Sequence, residues 1–247
     1  MKNNTIIHSQ KESKDAKFLV YKFRPIRTFC DLCREVDFLR IEEILDRKLY
    51  CADWRKLNDV LEGKYTYCDS NNTTEQLLFD KGNRLQDQKE AYRVCSLTKN
   101  STDPLMWAFY ASDNAGVAIE IELEKNDNIF SVVYENTIPK IELGSLCIDE
   151  SDVDGSKTRA IAKHILTHKT KAWAHEKEVR IIVENDKYYT IDKPNRLYYG
   201  PRMKESEYDK MRAICDKRKV RMIPIADIDP FQFGKDYDFD KKESVDA

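Results

Sequence analysis

Residues 116–123 read Gly-Val-Ala-Ile-Glu-Ile-Glu-Leu, and this alternation constrains the fold more than any other stretch of the chain. Side chains on a strand switch faces at every residue, so Val117, Ile119, Ile121 and Leu123 project to one side while Ala118, Glu120 and Glu122 project to the other. A helix cannot keep such a pattern on one face. The chain must build a sheet with an apolar face to bury, and a polar second face suits an antiparallel sheet.

A second strand poses a chemical question. In "AHEKEVRIIV", Ala174 to Val183, the side chains of Glu176, Glu178 and Arg180 fall on one face while Val179, Ile181 and Val183 fall on the other. Either the charged face meets water, or it lines a cleft in which two carboxylates and a cation act together. Further strands are expected over "KFLVYKF" (Lys17 to Phe23), "KLYCAD", "AYRVCSLT", "IFSVVYE", "YYTID", "RLYYG" and "VRMIPI". Helices are expected over Arg34 to Arg47, over "LMWAFYAS", over Lys157 to Trp173 and over "KESEYDKMRAICDK", with Tyr208, Met211 and Cys215 inward. "NNTTEQ" with nearby Gly82 reads as loop.

Strands outnumber helices and no β-α-β rhythm appears, which predicts an α+β fold with a largely antiparallel sheet. No Gly-x-Gly-x-x-Gly or Walker loop is present, so a nucleotide would have to be held another way. One domain is expected over residues 18–233, between a polar tail at 1–17 and another at 234–247.

A net charge of −2 gives no global attraction to nucleic acid or to a membrane, so any such affinity must come from a local patch. The basic run Lys157, Arg159, Lys163, Lys169 and Lys171 is one such patch. No apolar run reaches the ~20 residues that span a bilayer, and the first residues lack a signal-peptide core, so a cytoplasmic protein without membrane contact is expected. An odd count of 7 cysteines suits reduced thiols. Cys30 and Cys33 form the one C-x-x-C, without the second pair that a zinc site needs, and no metal is expected; metal-dependent hydrolysis stands as a third reading.

Four stretches carry chemistry. "VYKFR" places Tyr21 and Phe23 on one strand face and Lys22 and Arg24 on the other. "CSLTKN" ends a strand in Ser96, Thr98 and Lys99. "MWAFY" sets Trp107 and Tyr110 near one face of a helical turn, and the fourth stretch is the charged face of Glu176, Glu178 and Arg180. Each has a plain structural alternative: aromatic core packing, strand-end hydroxyls, or a surface ion pair.

From "LVYKFR" through "LMWAFYASDNAGVAIEIEL", "KTKAWAHEKEVRII" and "RLYYG", the chain resembles the bacterial domain-of-unknown-function family 2971 over most of residues 18–225. A Trp, a Tyr and a Gly before a strand match Trp107, Tyr110 and Gly116. Lys169, Trp173, Glu176 and Glu178 match the family's later motif, with Arg180 one place early.

More distantly, the order of an aromatic and basic strand, a Ser-x-Thr strand end and a Glu-x-Glu strand is similar to mono-ADP-ribosyltransferases. That resemblance implies an ADP-ribosyltransferase-like split sheet and NAD as substrate. It implies that Glu178 is the catalytic carboxylate, with Glu176 orienting or deprotonating an acceptor. Tyr21, Lys22, Arg24, Ser96, Thr98, Trp107, Tyr110 and Arg180 would then bind NAD. The first motif lacks the usual Arg-Gly or His-Gly, and the middle one reads Ser-Leu-Thr. A nucleic acid or protein acceptor, an antitoxin or regulator as partner, and a role as toxin or phage-defence effector follow from the same resemblance, with NAD hydrolysis as the simpler enzymatic outcome. A noncatalytic nucleotide- or partner-binding module is the alternative.

Overall fold

The computed structural model describes residues 17–69, 74–143 and 155–225. The tail expected at 234–247 lies outside the described residues, as does all but the last residue of the one expected at 1–17, and that residue, Lys17, opens the first strand. In chain order β1 (Lys17–Arg24), α1 (Asp31–Leu45), β2 (Lys48–Tyr50), β3 (Ala52–Asp53), a 3-10 turn (Trp54–Lys56) and β4 (Thr66–Cys68) come first. Then follow α2 (Glu75–Ala91), β5 (Tyr92–Thr98), α3 (Pro104–Tyr110), β6 (Val117–Glu124), β7 (Ile129–Ser131), β8 (Val133–Glu135) and β9 (Lys140–Glu142). The last part holds α4 (Ser156–Leu166), β10 (His168–Thr170), a 3-10 segment (Lys171–Glu176), β11 (Glu178–Glu184), β12 (Tyr188–Thr190), β13 (Arg196–Tyr199), α5 (Glu205–Arg218) and β14 (Arg221–Pro224).

The fold is α+β. The main sheet runs β14-β13-β6-β1-β5-β11-β7, with β3 also on β5, and every pairing in it is antiparallel except β13 with β14. The alternating residues of β6 behave as their period demands. Val117, Ile119, Ile121 and Leu123 join Phe38 and Ile41 of α1 and Met211 and Ile214 of α5 in one core. On the opposite face, Tyr92, Val94 and Ile182 pack on Leu85 of α2 and Ala162 and Ile165 of α4. Tyr21, Phe23, Ala118 and Tyr198 pack on Met106 and Trp107 of α3.

Three expectations are corrected. Glu75 and Gly82 lie in α2 rather than in a loop. "IFSVVYE" breaks into β7 on β11 and β8 on β10. The helix expected to Trp173 stops at Leu166: the Thr167 hydroxyl donates to His164 O at 3.0 Å, and His168–Thr170 pairs with β8 instead. Strand pairing overrides helical spacing there. No described helix is long and apolar enough to cross a membrane.

Candidate functional site

The sheet opens in its middle. β1 runs beside β6 along its whole length, yet it meets β5 only at Tyr21 and Thr98. β11 occupies one edge of β5 throughout, so β3, paired with Arg93 and Val94, and β1, paired with Thr98, share the other edge. Between them, among the described residues, no strand pairs with Cys95, Ser96 or Leu97 on that side. A backbone carbonyl left unpaired inside a protein is costly, and a side chain answers it: Lys22 Nζ donates to Ser96 O at 2.7 Å.

A cleft of about 310 Å³ enters this opening. Residues from both faces of β1 line it, Tyr21 and Phe23 as well as Lys22 and Arg24, which is possible only because the two strands part. Arg24 contributes a cation whose Nε has no hydrogen-bond partner among the described residues. Burial, with Arg40 adding to it, lowers its pKa from the usual arginine value.

The opposite wall comes from β11. Glu178 pairs with Thr98 and Arg180 with Ser96, so these side chains share a face that points into the cleft rather than to water. Arg180 is 0% exposed and forks onto Glu178, Nε to Oε1 at 2.8 Å and Nη2 to Oε2 at 3.0 Å. Its guanidinium also holds Glu62, Nη1 to Oε1 at 2.5 Å and Nη2 to Oε2 at 2.9 Å. Burial alone would raise the Glu178 pKa, but Arg180, then Lys169 and the Ser96 hydroxyl, bring it below the usual carboxylate value. For Glu62 burial outweighs Arg180, and its pKa rises.

Glu62 reaches this place through a tight turn. Glu62 N donates to Asp59 O at 3.0 Å, and Gly63 follows at φ 66°, a left-handed conformation that favours glycine. A Cβ on Gly63 would also stand 2.6 Å from the Trp54 ring. Lys89 of α2 fixes the turn by donating to Gly63 O at 2.8 Å, its ammonium over the rings of Trp54 and Tyr65.

Glu176 arrives differently from expectation. It ends the 3-10 segment, and Lys177 at φ 43° separates it from β11. Its carboxylate still lines the cleft: Oε1 accepts from Tyr110 Oη at 2.5 Å and Oε2 from Lys169 Nζ at 2.5 Å. The Thr98 hydroxyl donates to Glu176 O at 2.5 Å and thereby fixes the backbone that carries this acid. Burial, then Glu176, pushes the Tyr110 phenol well above its usual pKa. Asn58 donates to the same phenol oxygen.

The cleft therefore gathers Tyr21, Lys22, Arg24, Ser96, Thr98, Tyr110, Glu176, Glu178 and Arg180, all singled out in the sequence. Trp107 is the correction. It is buried in the core of α3, edge-on to Phe23 with centroids 5.1 Å apart, and its Nε1 donates to Ser101 O at 2.8 Å. It supports β1 from behind and does not line the cleft.

The sequence reading missed two residues of this wall. Glu62 sits in a loop whose partner is 118 positions away, so no local spacing shows it. Lys169 stands in the basic run and in the motif shared with Trp173, Glu176 and Glu178, but it was not expected in the site; the early end of α4 turns it inward, where its ammonium lies 4.5 Å from the Trp173 ring centroid.

Three carboxyl groups, Glu62, Glu176 and Glu178, thus face two cations, Lys169 and Arg180, on one wall, while Lys22 and Arg24 stand on the other. An acid-rich wall opposite a basic one, with tyrosines between, suits a ligand carrying a positive group at one end and an anionic group at the other.

Residues 106–181 match the family described as "Protein of unknown function (DUF2971)", a stretch that holds Trp107, Tyr110, Glu176, Glu178 and Arg180. Comparison with curated proteins and with solved structures returns no match.

Proposed function

We propose that the cleft binds NAD and that the chain is an ADP-ribosyltransferase-like enzyme, acting on a nucleic acid or protein acceptor, with hydrolysis as the outcome when water replaces the acceptor. One observation carries the reading: Glu178 is buried and charge-paired, held in its ionised form at the mouth of a split in the sheet, with Tyr21 and Tyr110 lining the same cleft.

Cleaving the nicotinamide–ribose bond develops positive charge on the sugar, as in glycoside hydrolysis. A carboxylate fixed before the reaction stabilises that charge without having to reorganise. Arg180 holds Glu178 ionised and immobile, and the third cation contact, Lys169 Nζ at 3.5 Å, is long enough to yield to a ribose hydroxyl. Tyr110 and Tyr21 offer ring faces for the nicotinamide. Lys22 and Arg24 face them as partners for phosphate. Glu176, bonded to the Tyr110 hydroxyl, is the group placed to accept a proton from an acceptor.

At about 310 Å³ the cleft is near the lower limit of ligand pockets, which suits the nicotinamide riboside half, with the adenosine half extending outward. A binding module without chemistry is favoured by one feature, the capture of both Glu178 oxygens by Arg180. The protein incubated with NAD and assayed by chromatography for free nicotinamide decides between them. Release above the uncatalysed rate supports the enzyme; a nucleotide-dependent rise in melting temperature without release supports the binding module.

A further inference from the structure

Cys30 and Cys33 stand where the chain leaving β1 enters α1, and the cleft chemistry uses neither. Cys30 is the N-cap of α1: its backbone is extended (φ −148°, ψ 122°) and its Sγ accepts the Cys33 amide at 3.4 Å. A sulfur thus takes the place of the oxygen that usually caps a helix, and a thiolate fills that place better than a thiol does. Position 33 lies within the first turn, so its side chain leans back toward the helix start and the two sulfurs are neighbours.

The contact divides the pair. Hydrogen bonds from the Cys33 amide, the Cys33 thiol and the Leu32 amide lower the Cys30 pKa from the usual thiol value, and the same thiol contact raises that of Cys33. Arg27, gripped by Asp37 through Nε at 2.9 Å and Nη2 at 2.7 Å, adds a guanidinium beside Cys33. Both cysteines are half-buried, whereas Cys51, Cys95 and Cys215 are buried, and the Cys68 thiol is bound to Glu142 Oε2 at 3.2 Å. Among the described residues they belong to no group of three or more side chains able to hold a metal.

We propose that Cys30 and Cys33 form a redox-active dithiol, with Cys30 the attacking sulfur, Cys33 the resolving one, and a low-molecular-weight disulfide the oxidant. The Cys30 thiolate attacks one sulfur of the small disulfide, forms a mixed disulfide and releases one small thiolate. Cys33 loses its proton to solvent and attacks Cys30 Sγ, closing the internal bond and expelling the second small thiolate. The two thiolates take up the two protons the cysteines gave, so one small disulfide is reduced to two thiols as the pair is oxidised. The proposal is independent of the reading of the cleft.

The full chain is incubated with oxidised glutathione, quenched with N-ethylmaleimide and mapped by peptide mass spectrometry. The wild type is expected to show an internal Cys30–Cys33 disulfide. Cys33→Ser should accumulate glutathione on Cys30, and in Cys30→Ser the adduct on Cys33 should form at least about tenfold more slowly. Melting temperatures confirm that both variants fold. Adducts spread evenly over the cysteines, equal reactivity of Cys33 without Cys30, or no internal disulfide in the wild type would overturn the proposal.

Discussion

Arg180 grips Glu178 from two residues further along the same strand, through two parallel hydrogen bonds of 2.8 and 3.0 Å, and the same guanidinium reaches back to Glu62 in the loop before β4. One side chain thus joins β11 to a loop distant in sequence and fixes the carboxylate on which the proposed chemistry depends.

Removing that cation leaves two acids buried without their partner. Arg180→Met is expected to cost about 3–5 kcal/mol, measured by urea denaturation. Arg180→Lys should recover only part of it, because one ammonium cannot fork onto two carboxylates. Adding Glu62→Gln to Arg180→Met should restore some stability by removing one of the stranded charges.

Acid should act through the same group. The Glu178 pKa in the folded chain lies below its ordinary value of 4.5. Its contribution to stability is therefore complete above the unfolded value and is lost as the pH falls through the folded one. A series of denaturation curves below pH 5 should show a steeper loss in wild type than in Glu178→Gln.

Lys89 gives a slope of the same sign in an alkaline window. Burial, with Lys64 adding, lowers its ammonium from 10.5 to about 8. Between those values the unfolded chain holds a proton that the folded chain has lost, so stability rises with pH across that window, by up to roughly 3 kcal/mol. The difference between wild type and Lys89→Met, followed by denaturation from pH 7.5 to 10.5, should carry that rise.

Gly116→Ala tests how β6 meets the end of β1. A Cβ there would lie 2.3 Å from Arg24 O and 2.9 Å from Ala111 Cα, both backbone atoms that cannot swing aside. Overpacking of about 1–3 kcal/mol is expected, read as a lowered denaturation midpoint. If the midpoint is unchanged, the close approach at Arg24 is wrong.

These residues show what was legible in the sequence and what was not. β6 was legible because its period of two is carried by side chains of opposite character. α2 was not: its buried positions are Lys81, Leu85 and Lys89, so the stripe facing the core is mostly lysine and reads as surface. The charged face of β11 could be read as a cleft wall or as a solvated edge, and only tertiary packing decided it. Tyr110 and Trp107 had the same helical spacing argument, yet one ring lines the cleft and the other packs in the core.

Trp107→Phe separates those two roles. Losing the Nε1 bond to Ser101 O and part of the contact with Phe23 should cost about 1–3 kcal/mol in stability. Nicotinamide release per folded molecule should stay within about twofold, since the ring does not touch the cleft.

A fixed negative charge at position 178 is proposed to do the work of the cleft, and Glu178→Gln isolates it at nearly constant shape. The measurement is nicotinamide release at saturating NAD, set beside the NAD dissociation constant of the same folded sample. Release is expected to fall by at least about a hundredfold with the dissociation constant changed only a few-fold, as when a group acts in the transition state rather than in binding. Release that survives the substitution, or no release from the wild type, would contradict the proposal.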